Sequence, residues 1–430
     1  MTPPPASSHG THTPQPPATA MTPVTVVFIL AMLLGVQPVT TDLYLPALPA
    51  IRQDFGGSLS QAQLTLSGLL LAFGLSQLVW GPVSDRWGRR PVLLVGLGLY
   101  TLAAVGALLA SSMGWLVLWR VLQGAAMGAA VMAGRAIVRD LYVPEQGARV
   151  LSKALSGLGV IAALCAPVGS ALASAWNWRA SLGALAVFGG VTLVVVAWRF
   201  KETVQHPNPR ALNPAALVAT WGQILRHPTF WAYGLLATAS YAGLFTFLAS
   251  SSFVFIDVLG LSRLVYGWAM FAMAASYLMG TFLCRRLLAR FGVQRTVRVG
   301  GFITLVGGTV LGVLPWAGVI HPLAILVPFC VFTLGHGIHQ PCGQSGAVGP
   351  FPQAAGAASA LSGVLMMVVA FAVGSWLGWR MDGTVFPLTN GVWFWATFLT
   401  GTAWTLVQRH GGSGTLAAPV AVMTSSQPKP

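Results

Sequence analysis

Apolar stretches, each about the length of one bilayer crossing, alternate along the chain with short polar breaks. Six lie at about 24–48, 61–80, 92–111, 116–138, 151–174 and 181–199, and six more at about 229–250, 265–284, 297–316, 322–341, 356–377 and 391–408. Hydrocarbon about 30 Å thick is crossed by roughly 20 helical residues, and stretches of this length read as helices rather than strands. The pattern predicts an all-α membrane protein with twelve transmembrane helices in two six-helix halves, 24–199 and 229–408. Between them, residues 200–228 (FKETVQHPNPRALNPAALVATWGQILRHP) gather Pro, Asn and charge as a linker does. Residues 1–23 hold seven prolines and no Lys, Arg, Asp or Glu, so they lack the basic start of a secretory signal and read as a disordered tail. Residues 409–430 form a second, small-residue tail.

Composition agrees with lipid as the solvent. Charged residues make up 7% of the 430, hydrophobic ones 55%, and the mean hydropathy is +0.73. A soluble domain carries roughly 25% charge. The net charge of +15 is therefore a question of placement. With the amino terminus inside, seventeen Lys and Arg fall on cytoplasmic segments and four, Arg52, Arg179, Arg263 and Arg380, on outer loops. That bias places both termini in the cytoplasm and accounts for the basic charge without a nucleic-acid partner. The four cysteines stand singly in or beside apolar segments, without CxxC or metal-ligand spacing, and read as packing residues.

The two halves echo each other. ALSG occurs at 154–157 and 360–363, and Arg86-Trp87-Gly88 after the second span is matched by Arg290-Phe291-Gly292 after the eighth. Offsets of 206 and 204 residues agree in size and in topological place, as in a duplicated transporter with an aqueous cavity between its halves. No GxSxG, P-loop or HExxH is present, and acids are too few for a paired-carboxylate site, so an enzyme is not expected. With no nucleotide motif and no cofactor signature, uphill work is expected to draw on ion gradients.

An ionisable group inside hydrocarbon is costly unless it faces water or a partner. Asp42 is the leading candidate of this kind, within GVQPVTTDLYLPALPAI of the first span. Gln37, Thr41 and Tyr44, at i, i+4 and i+7, should share one helical face with Asp42 beside it, a polar surface suited to a proton or a substrate. The alternative is an Asp that merely ends a helix near the outer surface. Arg120 is second, one turn into the fourth span with Gln123 after it, on a face shared with Gly124, Gly128, Val131 and Arg135. It must find a carboxylate, water or carbonyls, or else snorkel outward.

The loop GPVSDRWGRRPVLL supplies Gly81 and Gly88 for close packing and a tight turn, with Asp85, Arg86 and Arg89 as charges able to latch one conformation. In the fifth span Gly157, Pro167 and Gly169 predict a bent, closely packed helix. His336 and His339, with Gln340 and Gln344, lack a nearby carboxylate or Cys pair and read as cavity hydrogen-bonders, with no metal expected.

These segments resemble a known family. GPVSDRWGRRPVLL is similar to the loop signature of the major facilitator superfamily, and RVLQGAAMGAAVMAGRAIVRDLY to its fourth-span motif. With TDLYLPALPAI in the first span and APVGSALA followed by WNWRASL, the pattern resembles the Bcr/CflA group of bacterial drug:proton antiporters. The second half matches mainly in layout and in GAASALSG at 356–363. The resemblance implies proton-coupled efflux of amphipathic, drug-like molecules across the bacterial inner membrane, and nothing in the chain requires more than a monomer. It makes Asp42 the first-span acid, Arg120 the Arg linked to proton coupling, and Asp85 with Arg89 the inner-face latch. Pro167 falls on the antiporter motif, although Ala166, Ser170 and Ala171 replace glycines usual there. A metabolite exporter or a proton-coupled importer on the same fold is the alternative.

Overall fold

The structure is a computed structural model describing residues 21–142, 144–204, 207–209 and 211–411, without the side chains of 144, 145, 148 and 152. Of the tails expected over 1–23 and 409–430, residues 1–20 and 412–430 lie outside the described residues, as does Arg210. The regular structure within them is helical: α1 (Pro23–Asp42), α2 (Leu48–Asp54), α3 (Leu59–Trp87), α4 (Arg89–Leu108), α5 (Met113–Leu141), α6 (Pro144–Ala175), α7 (Trp178–Arg199), α8 (Pro214–Leu225), α9 (Pro228–Ser252), α10 (Arg263–Trp316), α11 (Pro322–Val348), α12 (Ala355–Arg380), α13 (Phe386–Trp404) and α14 (Leu406–His410).

Local chemistry sets many of the boundaries. Ser58 and Gln61 cap α3 reciprocally, side chain to backbone N–H at 3.2 and 2.9 Å. Asn177 caps α7, and Pro occupies the first turn of α8, α9 and α11, where its missing N–H removes no helical bond. The first span differs from the single helix expected over 24–48. Its α-helix stops at Asp42 and continues as a 3-10 turn, Leu45–Ala47, and then α2, because Pro46 and Pro49 cannot donate the bonds a continuous helix requires.

The eighth and ninth spans, expected as separate helices with a loop between, are one helical run of 54 residues. Straight, it would be about 80 Å long, far beyond one bilayer. Its backbone breaks at Gly292 (φ 69°, ψ 179°). Gly280, before the break, packs against Leu334 of α11, and Gly307, after it, against Phe332 of the same helix. Residues 27 positions apart can reach one level of a neighbour only if the chain folds back, so α10 supplies two spans. With α1, α3 to α7, α9, α11, α12 and α13, the count is twelve.

The seam between the halves pairs α3 with α12 and α6 with α10. Small residues let these helices close up: Gly74 lies against Met367, Gly374 against Ser67, and Gly267 against Pro167 and Ser170. Polar ties cross it at the Ser58 end, from Ser60 to the Gly378 carbonyl (2.7 Å), Gln63 to that of Ala249 (2.6 Å) and Arg263 to that of Ala173 (3.1 Å). At the Gly88 end Arg135 donates to Ser359 Oγ (3.1 Å). Elsewhere, large apolar side chains such as Phe28, Leu102, Val187 and Phe302 face outward, as lipid requires. The linker is more ordered than its composition suggested. Residues 214–225 form α8, which buries Ile224 and exposes Val218.

Candidate functional site

Asp42 is the last residue of α1 and is half-buried. Its Oδ1 accepts a hydrogen bond from Thr41 Oγ1 at 2.7 Å, and that hydroxyl is also 3.1 Å from the Gln37 carbonyl. Asp42 forms no ion pair among the described residues. The 3-10 turn that follows it, Leu45–Ala47, packs against α6 of its own half and against α9 and α10 of the other, so Asp42 stands beside the seam of the two halves. Tyr44 does not share this surface as the i, i+7 spacing implied. The α-helix has ended two residues earlier, and Tyr44 is fully buried with its hydroxyl donating to Thr65 Oγ1 at 2.8 Å.

Tyr44 instead belongs to the surroundings of Arg120, which is 0% exposed and therefore does not snorkel. Its Nη2 donates to the Thr40 carbonyl (3.0 Å), Nε to that of Thr65 (3.3 Å) and Nη1 to Gln123 Oε1 (2.9 Å). The Tyr44 ring lies 4.2 Å from the guanidinium carbon. The charge is thus held by carbonyl dipoles and a π face, and among the described residues no carboxylate pairs with it. This cluster ties α1, α3 and α5 together, with Tyr100 of α4 bonded to Thr40 at 2.7 Å. On the same face of α5, Gly124 packs on Leu69 and Gly128 on Ser76, both of α3. Thr65 and Tyr100 had no sequence signal, because a lone hydroxyl in an apolar span resembles a packing residue.

The loop charges assemble at the other end. Arg89 is buried and pairs with Asp85 (2.6 Å) and with Asp140 of α5 (2.8 Å), and it donates to Ser84 Oγ (2.8 Å). Gly88 adopts φ 97° and ψ 163°, a region essentially restricted to glycine. Next to it is Glu202, from the stretch read as linker. Its carboxylate accepts the backbone N–H groups of Arg89 (2.9 Å), Arg90 (3.0 Å), Thr203 (2.9 Å) and Val204 (3.0 Å). It thereby caps the free amides at the start of α4 and complements the helix dipole. Thr203 Oγ1 donates to Asp140 (3.0 Å), and the Asn208 amide to the Asp85 carbonyl (3.0 Å).

Asp140, Glu202 and Thr203 are thus functional candidates that sequence reasoning missed. The usable signal was the scarcity of acids, eight in all, two of which converge here with Asp85. Arg86 is exposed, outside this network, and Gly81 has room, since a side chain there would first meet Met132 Cε at 3.6 Å.

In α6 the helix runs through Pro167 unbroken. Gly157 faces Ala31, and Gly169 lies against the Leu43 carbonyl, just past Asp42. His336 bonds Ser240 Oγ (2.8 Å) and lies 5.4 Å from the Tyr277 ring, while His339 is buried beside Gly300. The two histidines therefore hold α11 against α9 and α10.

A family model described as the Major Facilitator Superfamily matches residues 26–375. Multidrug resistance protein D of Escherichia coli (strain K12) is 31% identical over 346 residues, 80% of this chain and 86% of that protein. A chloramphenicol resistance protein of Pseudomonas aeruginosa is 29% identical over 76% of this chain and 78% of its own length. The bicyclomycin resistance protein homolog of Haemophilus influenzae is 28% identical over 85% and 92%. Among solved structures, the xylose transporter XylE from E. coli superposes with a TM-score of 0.69 at 14% identity, covering 90% of this chain and 97% of that one. Twelve spans in two halves, the Asp85–Arg89 loop and these matches agree: the chain is a multi-pass membrane transporter and belongs to the major facilitator superfamily.

Proposed function

We propose that this transporter exports amphipathic, drug-like molecules across the bacterial inner membrane in exchange for protons, by alternating access. One observation carries the reading. Asp42 stands at the seam of the two halves, half-buried and free of any ion pair among the described residues, so its charge is available to a proton or a cationic group. The names of the relatives, multidrug, chloramphenicol and bicyclomycin resistance proteins, support the substrate class. The Lys and Arg bias supports an orientation with both termini and the Gly88 end in the cytoplasm. In this scheme Arg120 keeps a fixed positive charge near the first span, and Asp85 with Arg89 steadies one conformation. No cofactor and no second subunit is required.

The energetics suffice. One charge crossing 100 mV supplies about 2.3 kcal/mol and one pH unit about 1.4, together enough for a gradient of several hundredfold. Asp42→Asn, reconstituted in vesicles with an imposed pH gradient, is expected to fold normally and lose proton-driven drug movement. Unchanged transport in this variant refutes the role of Asp42, and solute moving in the same direction as protons refutes export by exchange.

A further inference from the structure

The fold-back at Gly292 carries five exposed arginines, Arg285, Arg286, Arg290, Arg295 and Arg298, none paired with a carboxylate among the described residues. The reason lies in the sequence. From 229 to 408 the acids are Asp257 and Asp382, both toward the opposite end of the bundle. Beside these arginines is a groove of about 420 Å³ lined by Arg298, Val299, Phe302 and Trp404. Arg295, Arg298, Val299 and Phe302 recur at i, i+3, i+4 and i+7, so one stripe of α10 runs from charged to apolar as it enters the membrane. The groove is held in shape by Trp404, whose Nε1–H donates to the Arg298 carbonyl (3.1 Å), and by Gln408, whose Oε1 accepts from Arg298 Nη2 (2.9 Å).

We infer that this groove is a binding site for an anionic phospholipid, its headgroup phosphate on Arg295 and Arg298 and an acyl chain along Val299, Phe302 and Trp404. Charge complementarity selects the ligand. Arginine forks match phosphate oxygens, and uncompensated basic pockets at a membrane surface attract anionic headgroups. Exposed Phe302 and Trp404 give the acyl chain an apolar wall that a free anion without a hydrocarbon tail would not use. In the matching loop of the first half, by contrast, Arg89 receives its anions from Asp85 and Asp140.

The test is native mass spectrometry of the full chain exchanged into equal amounts of phosphatidylglycerol and phosphatidylcholine with identical acyl chains. The wild type is expected to retain phosphatidylglycerol about tenfold over phosphatidylcholine, and Arg295→Gln with Arg298→Gln to bring the two within about twofold. Arg199→Gln with Arg226→Gln, removing equal charge from exposed positions at the same end, should keep the preference. Val299→Trp, which fills the groove and leaves every arginine in place, should lower retention of phosphatidylglycerol. Equal retention of both lipids by the wild type overturns the inference. So does an equal loss in the Arg199/Arg226 control, full retention by Val299→Trp, or thermal stabilisation by inorganic phosphate alone that matches the lipid's.

Discussion

Gly88 and Gly292 occupy matching places after the second and eighth spans, 204 residues apart, and both hold the left-handed, extended backbone that reverses the chain (φ 97° and 69°, ψ 163° and 179°). What clamps them differs. In the first half Glu202 gathers four amides while Arg89 binds Asp85 and Asp140, joining α3, α4, α5 and the linker in one charged knot. In the second half Gln408, 206 residues after Glu202, meets Gln294, 204 after Arg90. Gln408 Nε2 donates to the Gln294 carbonyl (3.1 Å), and Gln294 Nε2 to those of Val407 (3.4 Å) and Gln408 (3.3 Å). Neutral amides thus replace ions at the same turn. The duplicated fold needs the turn in both halves, whereas a network of ion pairs is built into one.

The largest expected effect that would break this contrast is Arg89→Ala. Removing the shared cation leaves Asp140 uncompensated and should cost about 3 kcal/mol, read as a lowered midpoint of thermal unfolding in detergent. A loss under about 1 kcal/mol would mean that water already screens the knot. Next come the paired variants Gly88→Ala and Gly292→Ala. Both incur the strain of a positive φ, about 1–3 kcal/mol. A methyl at residue 88 would also sit 2.5 Å from Glu202 Oε2, whereas residue 292 has nothing within 4 Å. Gly88→Ala should therefore be the more destabilising, and equal losses would show that Glu202 yields freely.

Third, Glu202→Ala should cost about 2 kcal/mol and Gln408→Ala about 1, because hydrogen bonds to a charged acceptor are the stronger. Added salt should narrow that gap. The smallest effect is expected from Gln408→Glu, which gives Arg298 an anion at an exposed position but loses the Nε2 donation to the Gln294 carbonyl, so the two changes should offset to within about 1 kcal/mol. A larger gain would indicate that the second half tolerates the charged design equally well.

Some of this was legible in the chain. The spans, the pseudo-repeat, the Gly88 turn and the isolated Asp42 all follow from residue type and local spacing. The failures were local extrapolations too. The helical face drawn through Gln37, Thr41 and Tyr44 assumed a helix that Pro46 and Pro49 end, and the linker hid Glu202 because a carboxylate in a polar stretch looks solvated. The setting of Arg120 could not be read from the fourth span alone, since its acceptors are carbonyls of Thr40 and Thr65 in the first and second spans.

The sequence by itself determined that the protein lives in lipid, how many times it crosses, and where charge can stand. Those properties come from hydrophobicity and length, which act residue by residue. The tertiary structure alone decided which charge meets which partner: Asp140 and Glu202 on Arg89 and its loop, carbonyls on Arg120, and, among the described residues, no carboxylate for the arginines around Gly292. Such pairings depend on side chains far apart in the chain meeting within about 3 Å, a distance that only the packing of one helix against another can set.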